Sequence, residues 1–358
     1  MHVHAYAAQT KGASLQPYDF EAVPLGPEAV DVRVTHAGIC HTDVAMVDNE
    51  WGISQYPVVP GHENVGIVSA VGSNVTRLKV GDRVGVGALC GSCMQCEFCE
   101  GGRQHVCANV VGTVMGRHTG GFGSVVRAEN WQFAHPIPDA IASEHAGPLL
   151  CAGTTVFTPI VRYGVKPTDR VAVVGIGGLG HLALQFLAKW GCEVTAISST
   201  NDKDAQSRSF GAHHTLATSG GDELERAARS FDFIIATASG DLPWDQYLQA
   251  LRPGGKLCIV GIPPSPVSVS IWNLVGGEKS VVGGQPGSID ETADMLRFAA
   301  LHGVRPTIET FSMVDANTAL EHTRQGKARF RAVLVARVLE VEWHMLVFTF
   351  YQEVIART

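Results

Sequence analysis

Short apolar runs separated by turn-forming residues dominate the chain up to about residue 150. Runs such as 65–71 and 83–86 are interrupted by Gly, Pro or Asn, at intervals of about 8–12 residues that are typical of sandwiches and barrels. We therefore predict a β-rich unit over this part of the chain.

From residue 169 to 284 the pattern changes to strand-length apolar runs that alternate with helical periodicity. The predicted strands lie near 171–174, 193–198, 214–216, 232–236, 256–260 and 280–283. The predicted helices lie near 179–190, 201–210, 222–229 and 244–251. Six strands with helices between them are typical of a doubly wound parallel sheet.

The remaining chain alternates helix and strand once more. We predict a helix over 289–302, a strand over 304–311, a helix over 315–325 closed by Gly326 and a strand over 330–336. This part is expected to return to the first unit. The segment 338–358 is apolar and aromatic without turn signals, so an edge strand, a helix and an appended tail all stay open.

Composition excludes several classes of protein. A length of 358 residues corresponds to about two domains. With 45% apolar and 17% charged residues the chain is not a disordered sequence, and a net charge of −7 argues against a general nucleic-acid binder.

No apolar run is long enough for a membrane span. The first ten residues lack a signal-peptide pattern, so we predict a cytoplasmic protein whose nine cysteines serve as thiolates and metal ligands rather than disulfides.

A glycine-rich fingerprint follows the first strand of the α/β part. Gly175, Gly177 and Gly180 form GxGxxG between an apolar strand and an apolar helix that ends at Gly191. This context is what a dinucleotide-binding turn requires, and an ordinary tight turn is the alternative. The first glycine allows the turn, the second lets the backbone approach a pyrophosphate, and the third allows close helix–strand packing.

The end of the second strand of this unit discriminates between cofactors. An NAD site requires Asp or Glu there to bind the ribose 2′-hydroxyl. This chain has Ser198, Ser199 and Thr200 instead, with Lys203 just beyond. Hydroxyl donors and a cation suit a 2′-phosphate, so the sequence favours NADP over NAD; a solvated loop is the alternative.

Four cysteines are closely spaced in a glycine-rich loop. Cys93, Cys96, Cys99 and Cys107 follow the pattern Cys-x2-Cys-x2-Cys-x7-Cys. Four thiolates can close a tetrahedral zinc site that leaves no position for substrate, so we predict a structural zinc. An iron–sulfur cluster also takes four cysteines, but this spacing does not match the ferredoxin patterns. Cys90 is interpreted as a spare thiol.

A second set of metal-ligand types is scattered along the chain. Cys40, His62 and Cys151 would supply two thiolates and one imidazole and leave a fourth position open, as in catalytic zinc sites. Spacing alone cannot bring such distant positions together, and a lone cysteine is more often a small core residue. From spacing, both interpretations stay open.

These motifs, in this order, resemble the zinc-containing medium-chain dehydrogenase/reductase superfamily, closest to the cinnamyl-alcohol-dehydrogenase-like group of NADP-dependent alcohol dehydrogenases and aldehyde reductases. The resemblance runs from about residue 1 to 337. It includes YPVVPGHE at 56–63, GDRV at 81–84, LRPGGKL at 251–257 and KARFR at 327–331. Cys90 and the Gly-Gly-Gln sequence at 283–285 are departures, and the tail after 338 lies outside it.

The resemblance implies a GroES-like catalytic domain that is interrupted by a Rossmann domain. The expected division is 1–152 for the first catalytic part, with a zinc lobe at about 88–110, then 153–290 for the NADP-binding domain and 291–337 for the return to the catalytic domain. The tail 338–358 stays unassigned.

The resemblance also implies roles for individual residues. Cys40, His62 and Cys151 would bind the catalytic zinc, with Glu63 beside it as an alternative ligand. Thr42 would pass the alcohol proton outward, and Asp43 would take the other ring N–H of His62. His41 would approach the cofactor phosphates or join the proton relay, and Trp51 would line the substrate pocket. The implied cofactor contacts are Thr155, Gly178, Leu179, Ser198, Ser199, Lys203, Val260, Gly261, Gly283 and Arg329.

The predicted activity is reversible hydride transfer between NADP(H) and a primary alcohol or aldehyde, aromatic or aliphatic, with two zinc ions per chain. The expected partners are a small-molecule substrate and further copies of the chain, as a dimer or tetramer, with no nucleic acid and no membrane. Two alternatives stay open: an NAD-dependent alcohol or polyol dehydrogenase of the same fold, and a non-catalytic, zinc-stabilised nucleotide-binding redox regulator.

Overall fold

A computed structural model describes residues 1–117 and 119–336, so the unassigned tail at 338–358 lies outside the described residues. The strands are β1 His2–Ala7, β2 Gln16–Glu21, β3 Val30–Ile39, β4 Asn64–Val71, β5 Arg83–Val86, β6 Leu89–Gly91, β7 Val111–Gly112, β8 Val125–Ala128, β9 Ala134–Pro136, β10 Arg170–Val174, β11 Glu193–Ser198, β12 His214–Ala217, β13 Phe231–Ala236, β14 Leu251–Ile259, β15 Ser280–Gly283, β16 Ile308–Ser312 and β17 Arg331–Val335. The α-helices are α1 His41–Asp48, α2 Glu97–Glu100, α3 Ser143–Pro148, α4 Thr154–Arg162, α5 Gly180–Trp190, α6 Asp204–Ser209, α7 Glu223–Arg226, α8 Trp244–Ala250, α9 Ile271–Val275, α10 Ile289–His302 and α11 Ala316–Arg324.

A seven-stranded sheet organises the β-rich unit. Its strand order is β16-β17-β3-β4-β5-β9, and β8 also pairs with β3. The central strand β3 alternates buried Val30, Val32 and Val34 toward one apolar core. β17 pairs antiparallel with β3, joining Ala332 to Ile39. The C-terminal part of the chain therefore returns to the first unit, as the sequence predicts.

A six-stranded parallel sheet forms the second unit, in the order β12-β11-β10-β13-β14-β15. Apolar side chains cover both faces, with α4, α5 and α10 on one side and α7 and α8 on the other. The strand order reverses beside β10, which is flanked by β11 and β13. In such sheets ligands bind outside the carboxyl ends of the strands at this switch point. The predicted architecture, a β-rich unit plus a doubly wound six-stranded parallel sheet, is confirmed.

Two predicted strands begin elsewhere in the structure, and one helix of the structure was not predicted. The strand predicted from 304 begins at Ile308, because the segment before it contains Pro306, which has no N–H to donate to a ladder. β14 begins at Leu251 rather than near 256. The short helix α9, Ile271–Val275, was not predicted, because one turn is too short to show a helical period. The domain boundaries at 152/153 and 290/291 stay a prediction.

Two small hairpins extend from the first unit. β1 pairs with β2, and β6 pairs with β7 at the base of the cysteine-rich loop. Within residues 1–117 and 119–336, no helix combines the length and the apolarity needed to cross a bilayer.

Candidate active site and metal centres

The fold brings the scattered Cys–His–Cys set together. Cys40 directly follows β3, His62 precedes β4, and Cys151 lies in a π-helical turn, Leu149–Gly153, between α3 and α4. β3 and β4 are paired neighbours, which places the first two side chains at one edge of the sheet. One ligand atom from each of these residues and one carboxylate oxygen of Glu63 all lie within 4.8 Å of one another, and all four residues are buried.

Asp43 fixes the orientation of the His62 ring. Its Oδ1 lies 3.0 Å from His62 Nδ1 and accepts the Gly61 N–H at 2.8 Å, while its Oδ2 accepts the Cys40 N–H at 2.9 Å. A carboxylate that holds the outer ring nitrogen in this way sets a histidine up as a metal ligand. His62 Nε2 is buried and has no hydrogen-bond partner among the described residues. A metal ion would satisfy this nitrogen, so the residues present fit a zinc ion.

The electrostatics of the cluster favour a thiolate at Cys40. The thiol of Cys151 donates to Cys40, and the positive charge of Arg331 adds to this, so the pKa of Cys40 lies well below its ordinary value. The same contact raises the pKa of Cys151. Burial opposes protonation of His62, but Asp43 outweighs it and raises the pKa of the imidazole. Zinc binds a thiolate and a neutral imidazole, so metal binding would displace the proton that the raised pKa favours on His62.

Arg331 is the site residue that sequence reasoning missed. It is buried and forms an ion pair with Oε1 of Glu63. Burial raises the pKa of Glu63 to about 7, against the opposing charge of Arg331. The segment 327–331 belongs to the resemblance, but no spacing relates position 331 to position 63. The link arises only when β17 pairs with β3.

The remaining predicted catalytic residues lie around this cluster at different distances. Thr42 is half-buried, and its Oγ1 lies 3.9 Å from Cys40 Sγ. His41 is exposed, and its Nε2 lies 3.1 Å from Glu50 Oε2. Trp51 packs against a separate apolar cluster that comprises Met46, Val58, Val114 and Tyr56. The structure therefore places Thr42 beside Cys40, a predicted zinc ligand, and His41 at the solvent-exposed surface.

The cysteine-rich loop gathers all four predicted thiols. Cys107 Sγ lies 3.4 Å from Cys93 Sγ, and Cys96 Sγ lies 3.8 Å from Cys107 Sγ. Cys99 completes a group whose sulfurs all lie within 4.8 Å of one another. The N–H of Gln95 and the thiol of Cys107 lower the pKa of Cys93 to about 6. Four sulfurs at this separation fit a tetrahedral zinc site.

Cys90 lies apart from the four-sulfur group. It is fully buried, and its thiol donates to the carbonyl oxygen of Val111, 3.5 Å away. Its position supports the interpretation of Cys90 as a thiol outside the metal centre.

The glycine-rich turn lies at the carboxyl end of β10. Gly175 has φ +86°, which favours glycine. A Cβ on Gly180 would lie 1.9 Å from the carbonyl oxygen of Gly175, so α5 packs too closely on the turn for a side chain. A Cβ on Gly177 would meet none of the described heavy atoms within 4 Å. The turn therefore has an open backbone face at which a pyrophosphate would fit.

The residues predicted to bind the 2′-phosphate of NADP lie beside this turn. Ser198 ends β11, and its hydroxyl donates to the carbonyl oxygen of Thr200. Lys203 Nζ donates to the carbonyl oxygen of Ile176, inside the turn, at 2.8 Å. Burial lowers the pKa of Lys203, and the charge of Arg329 lowers it further. Lys203 and Arg329 thus place two cations within electrostatic range of each other at the end of β11.

The other predicted cofactor contacts are distributed along the same edge of the sheet. Val260 and Gly261 follow β14 and Gly283 ends β15, so they share the edge of the glycine turn. Ser199 is exposed after β11, Leu179 immediately precedes α5, and Thr155 is buried in the first turn of α4.

Comparison with known proteins identifies related chains. Residues 26–139 match the family model of the alcohol dehydrogenase GroES-like domain, and residues 178–301 match that of the zinc-binding dehydrogenase. The aldehyde reductase AdhA of Synechocystis is 43% identical over 332 residues, which cover 93% of this chain and 98% of the relative.

Solved structures agree with this relation. A cinnamyl alcohol dehydrogenase from Sorghum bicolor is 38% identical with a TM-score of 0.88, covering 94% of this chain and 98% of that one. A cinnamyl alcohol dehydrogenase from Helicobacter pylori, complexed with NADP(H), is 31% identical with a TM-score of 0.86 over the same shares of the two chains. The sequence identity, its coverage of nearly the whole chain and the two matched domains show that this protein belongs to the zinc-containing medium-chain dehydrogenase/reductase superfamily, with the cinnamyl alcohol dehydrogenases and aldehyde reductases as its relatives.

Proposed function

We propose that this protein is a zinc-dependent alcohol dehydrogenase that acts mainly as an NADPH-dependent aldehyde reductase. The observation that carries the proposal is the buried group formed by Cys40, His62 and Cys151, with its unpartnered imidazole nitrogen. The 43% identity to an aldehyde reductase and the resemblance to a cinnamyl alcohol dehydrogenase complexed with NADP(H) support it.

The chain's own residues would bind and orient the reactants. Cys40, His62 and Cys151 would hold a zinc ion, which when bound supplies Lewis-acid polarisation of a carbonyl or alcohol oxygen. The glycine turn and the carboxyl ends of β14 and β15 would hold the cofactor, which supplies the hydride. Asp43 keeps the imidazole of His62 in one tautomer, since its carboxylate only accepts from Nδ1–H.

Arg331 would offset negative charge beside the metal ligands. With zinc bound, Cys40 and Cys151 would both be thiolates close to the carboxylate of Glu63, and the buried guanidinium of Arg331 would reduce the repulsion among these groups. We propose Glu63 as an alternative ligand, because its Oε2 is buried without a partner among the described residues.

Thr42 would carry the proton between substrate oxygen and the exterior. Its hydroxyl lies beside Cys40 and can both donate and accept a hydrogen bond. We propose His41 as the next group outward, because it is exposed and adjacent in sequence. Trp51 is proposed as a wall of the substrate pocket.

Thr42→Val is expected to slow turnover by about 10²-fold, the scale for loss of a positioned proton-transfer group. Valine keeps the shape and removes the hydroxyl. Thr42→Ser is the matched control, since it restores a hydroxyl at the same position and should recover most of the rate. Single-turnover reduction measured with zinc and NADPH bound checks this, and a wild-type rate in the valine variant would remove Thr42 from the proton path.

We further propose that each chain holds two zinc ions with different roles. The four-sulfur group of the cysteine-rich loop would hold a structural zinc, because all four positions are filled by protein ligands. The loop contains few buried apolar residues, so metal binding would contribute much of its local folding free energy.

Cys93→Ser is expected to lower the thermal unfolding temperature and to reduce the zinc content from two ions per chain to one. Cys90→Ser is the matched control, because Cys90 is buried in the same loop region but lies outside the four-sulfur group. It should keep both ions. Elemental analysis and calorimetry give the two readouts; two zinc ions in a folded Cys93→Ser variant would show that the loop is not a zinc site.

A homo-oligomer is proposed on the exposed edge of the parallel sheet. Among the described strands β15 pairs with β14 alone, so one row of backbone groups is left for another strand. The adjacent helix α9 exposes Ile271, Trp272 and Val275, with Trp272 79% exposed. A second copy related by a two-fold axis would cover both features. A cytoplasmic location stays a prediction.

Mixing the zinc-loaded protein with NADPH and benzaldehyde tests the proposed function. Loss of NADPH absorbance on addition of the aldehyde is expected, and the rate with NADH should be lower. An NADPH-binding protein that consumes no cofactor with any member of an aldehyde panel would instead be a non-catalytic nucleotide-binding protein.

A further inference from the structure

His181 joins the glycine turn to the other half of the molecule. It lies in the first turn of α5 and is fully buried. Its Nδ1 lies 3.0 Å from the carbonyl oxygen of Gly177, and its Nε2 lies 3.2 Å from the backbone nitrogen of Thr307. A carbonyl oxygen accepts and an N–H donates, so Nδ1 carries the hydrogen and Nε2 is the acceptor. One neutral tautomer therefore satisfies both contacts.

The faces of the imidazole are fixed by two aromatic rings. Phe330 stacks on it with ring centroids 4.8 Å apart and an interplanar angle of 12°. Phe210 meets it edge-on at 5.5 Å. The carbonyl oxygen of Thr307 accepts the N–H groups of both Phe330 and Arg331. Thr307, which precedes β16, is thus hydrogen-bonded to the segment at the start of β17, so His181 contacts that segment directly through Phe330 and indirectly through Thr307.

That segment reaches both the predicted cofactor site and the metal-ligand cluster. A Cβ on Gly178 would lie 2.7 Å from Nη1 of Arg331, so this guanidinium packs directly on the turn. The other side of the guanidinium is paired with Glu63. Arg329, two residues earlier, lowers the pKa of Lys203 by its charge. A shift of the turn relative to this segment would therefore move the cofactor cradle relative to both arginines.

We propose that His181 is a positioning residue that holds the dinucleotide-binding turn in register with the segment carrying Arg329 and Arg331. The inference rests on the proposed function, because it assigns the turn to NADP(H). Burial lowers the pKa of His181 to about 4, so at neutral pH the ring acts through its two hydrogen bonds and not as a cation for the phosphates.

The decisive variant is His181→Leu, which keeps an apolar side chain beside Phe330 and removes both hydrogen bonds. We expect the Kd for NADPH to rise about tenfold or more, since two buried backbone partners lose their bonds. Bound zinc should stay at the wild-type level. The KM for NADPH should rise more than kcat falls. His181→Gln, which retains one donor and one acceptor, should recover part of the affinity.

Gln185→Met is the matched control. Gln185 lies one turn further along α5, and its amide also binds the neighbouring segment, with Nε2 3.0 Å from the carbonyl oxygen of Arg305 and Oε1 3.3 Å from its nitrogen. Its Nε2 also lies 3.1 Å from the backbone carbonyl oxygen of His181, but among the described residues no hydrogen bond joins the Gln185 side chain to the imidazole, to the glycine turn or to Phe330. Gln185→Met should lower the unfolding temperature without changing the Kd for NADPH.

Fluorescence titration with NADPH, well below the unfolding temperature, separates the outcomes. An unchanged Kd in His181→Leu would overturn the inference, and so would an equal weakening in Gln185→Met, since the effect would then belong to the general join between the halves. A wild-type protein that bound no NADPH would overturn the proposed function and the inference together, whereas tight wild-type binding with an unchanged Kd in His181→Leu would overturn the inference alone.

Discussion

Replacing Cys40 with serine is expected to abolish turnover while leaving the fold intact. Serine occupies a similar volume but is a poor zinc ligand, and the remaining imidazole and thiol would bind the ion weakly. Loss of Lewis-acid stabilisation worth several kcal/mol corresponds to a rate decrease of at least about 10³-fold. Zinc content should fall from two ions per chain to one. The unfolding temperature should change less than in Cys93→Ser, because Cys40 lies at the edge of a sheet with its own apolar core.

Cys192→Ser is the control for cysteine replacement as such. Cys192 is buried in the parallel-sheet unit, where its thiol donates to the carbonyl oxygen of Lys166 at 3.3 Å, a bond that serine can keep. It should retain both zinc ions and near wild-type turnover. Rates and metal content measured on the three proteins give the test. A Cys40→Ser variant that reduces aldehydes at the wild-type rate would contradict the assignment of the catalytic zinc ligands.

Replacing Ser198 with aspartate is expected to reverse the cofactor preference. In the wild type, charge-assisted hydrogen bonds to a 2′-phosphate are worth about 1.5–3 kcal/mol each, so one or two give a preference for NADPH of about tenfold to several hundredfold. Aspartate would accept bonds from the free ribose hydroxyl of NADH and would repel a phosphate. The kcat/KM for NADPH should therefore fall in the variant, and the kcat/KM for NADH should exceed it.

Two further variants test whether the reversal arises from contacts with the 2′-phosphate or from added negative charge alone. Lys203→Ala should weaken NADPH binding and leave NADH nearly unchanged, with a smaller loss at high salt because the contact is partly screened. Ser209→Asp adds the same charge at an exposed position of α6. It should leave the preference for NADPH over NADH unchanged. Equal wild-type efficiency with both cofactors, or indifference to Ser198→Asp, would show that the end of β11 does not choose the cofactor.

The sequence was sufficient for the parts of the fold that depend on local pattern. The alternation of strands and helices from 169 to 284 predicted the six-stranded parallel sheet, because short apolar runs that separate helical periods are typical of such a sheet. The four cysteines lie within 15 positions of one another, so loop geometry alone brings them together. Both features can be predicted from neighbouring residues without knowledge of the tertiary structure.

The proposed catalytic cluster depends on contacts that no local pattern contains. Cys151 reaches Cys40 and His62 through a π-helical turn between α3 and α4, and the resemblance, not the spacing, indicated this set. Arg331 reaches Glu63 because β17 inserts beside β3. His181 directly follows the glycine-rich motif, yet its partners Thr307 and Phe330 lie more than 100 positions away. These residues required the tertiary structure.

Transfer of deuterium tests the central claim most directly. The zinc-loaded protein would be incubated with benzaldehyde and NADPH that carries deuterium at the transferable position of the nicotinamide ring, and the benzyl alcohol would be analysed by mass spectrometry. If the site performs direct hydride transfer, the label appears on the carbinol carbon of the wild-type product, and Cys40→Ser forms almost no product. Unlabelled alcohol from the wild type, or labelled alcohol formed as rapidly by Cys40→Ser, would contradict a zinc-dependent hydride transfer at this site.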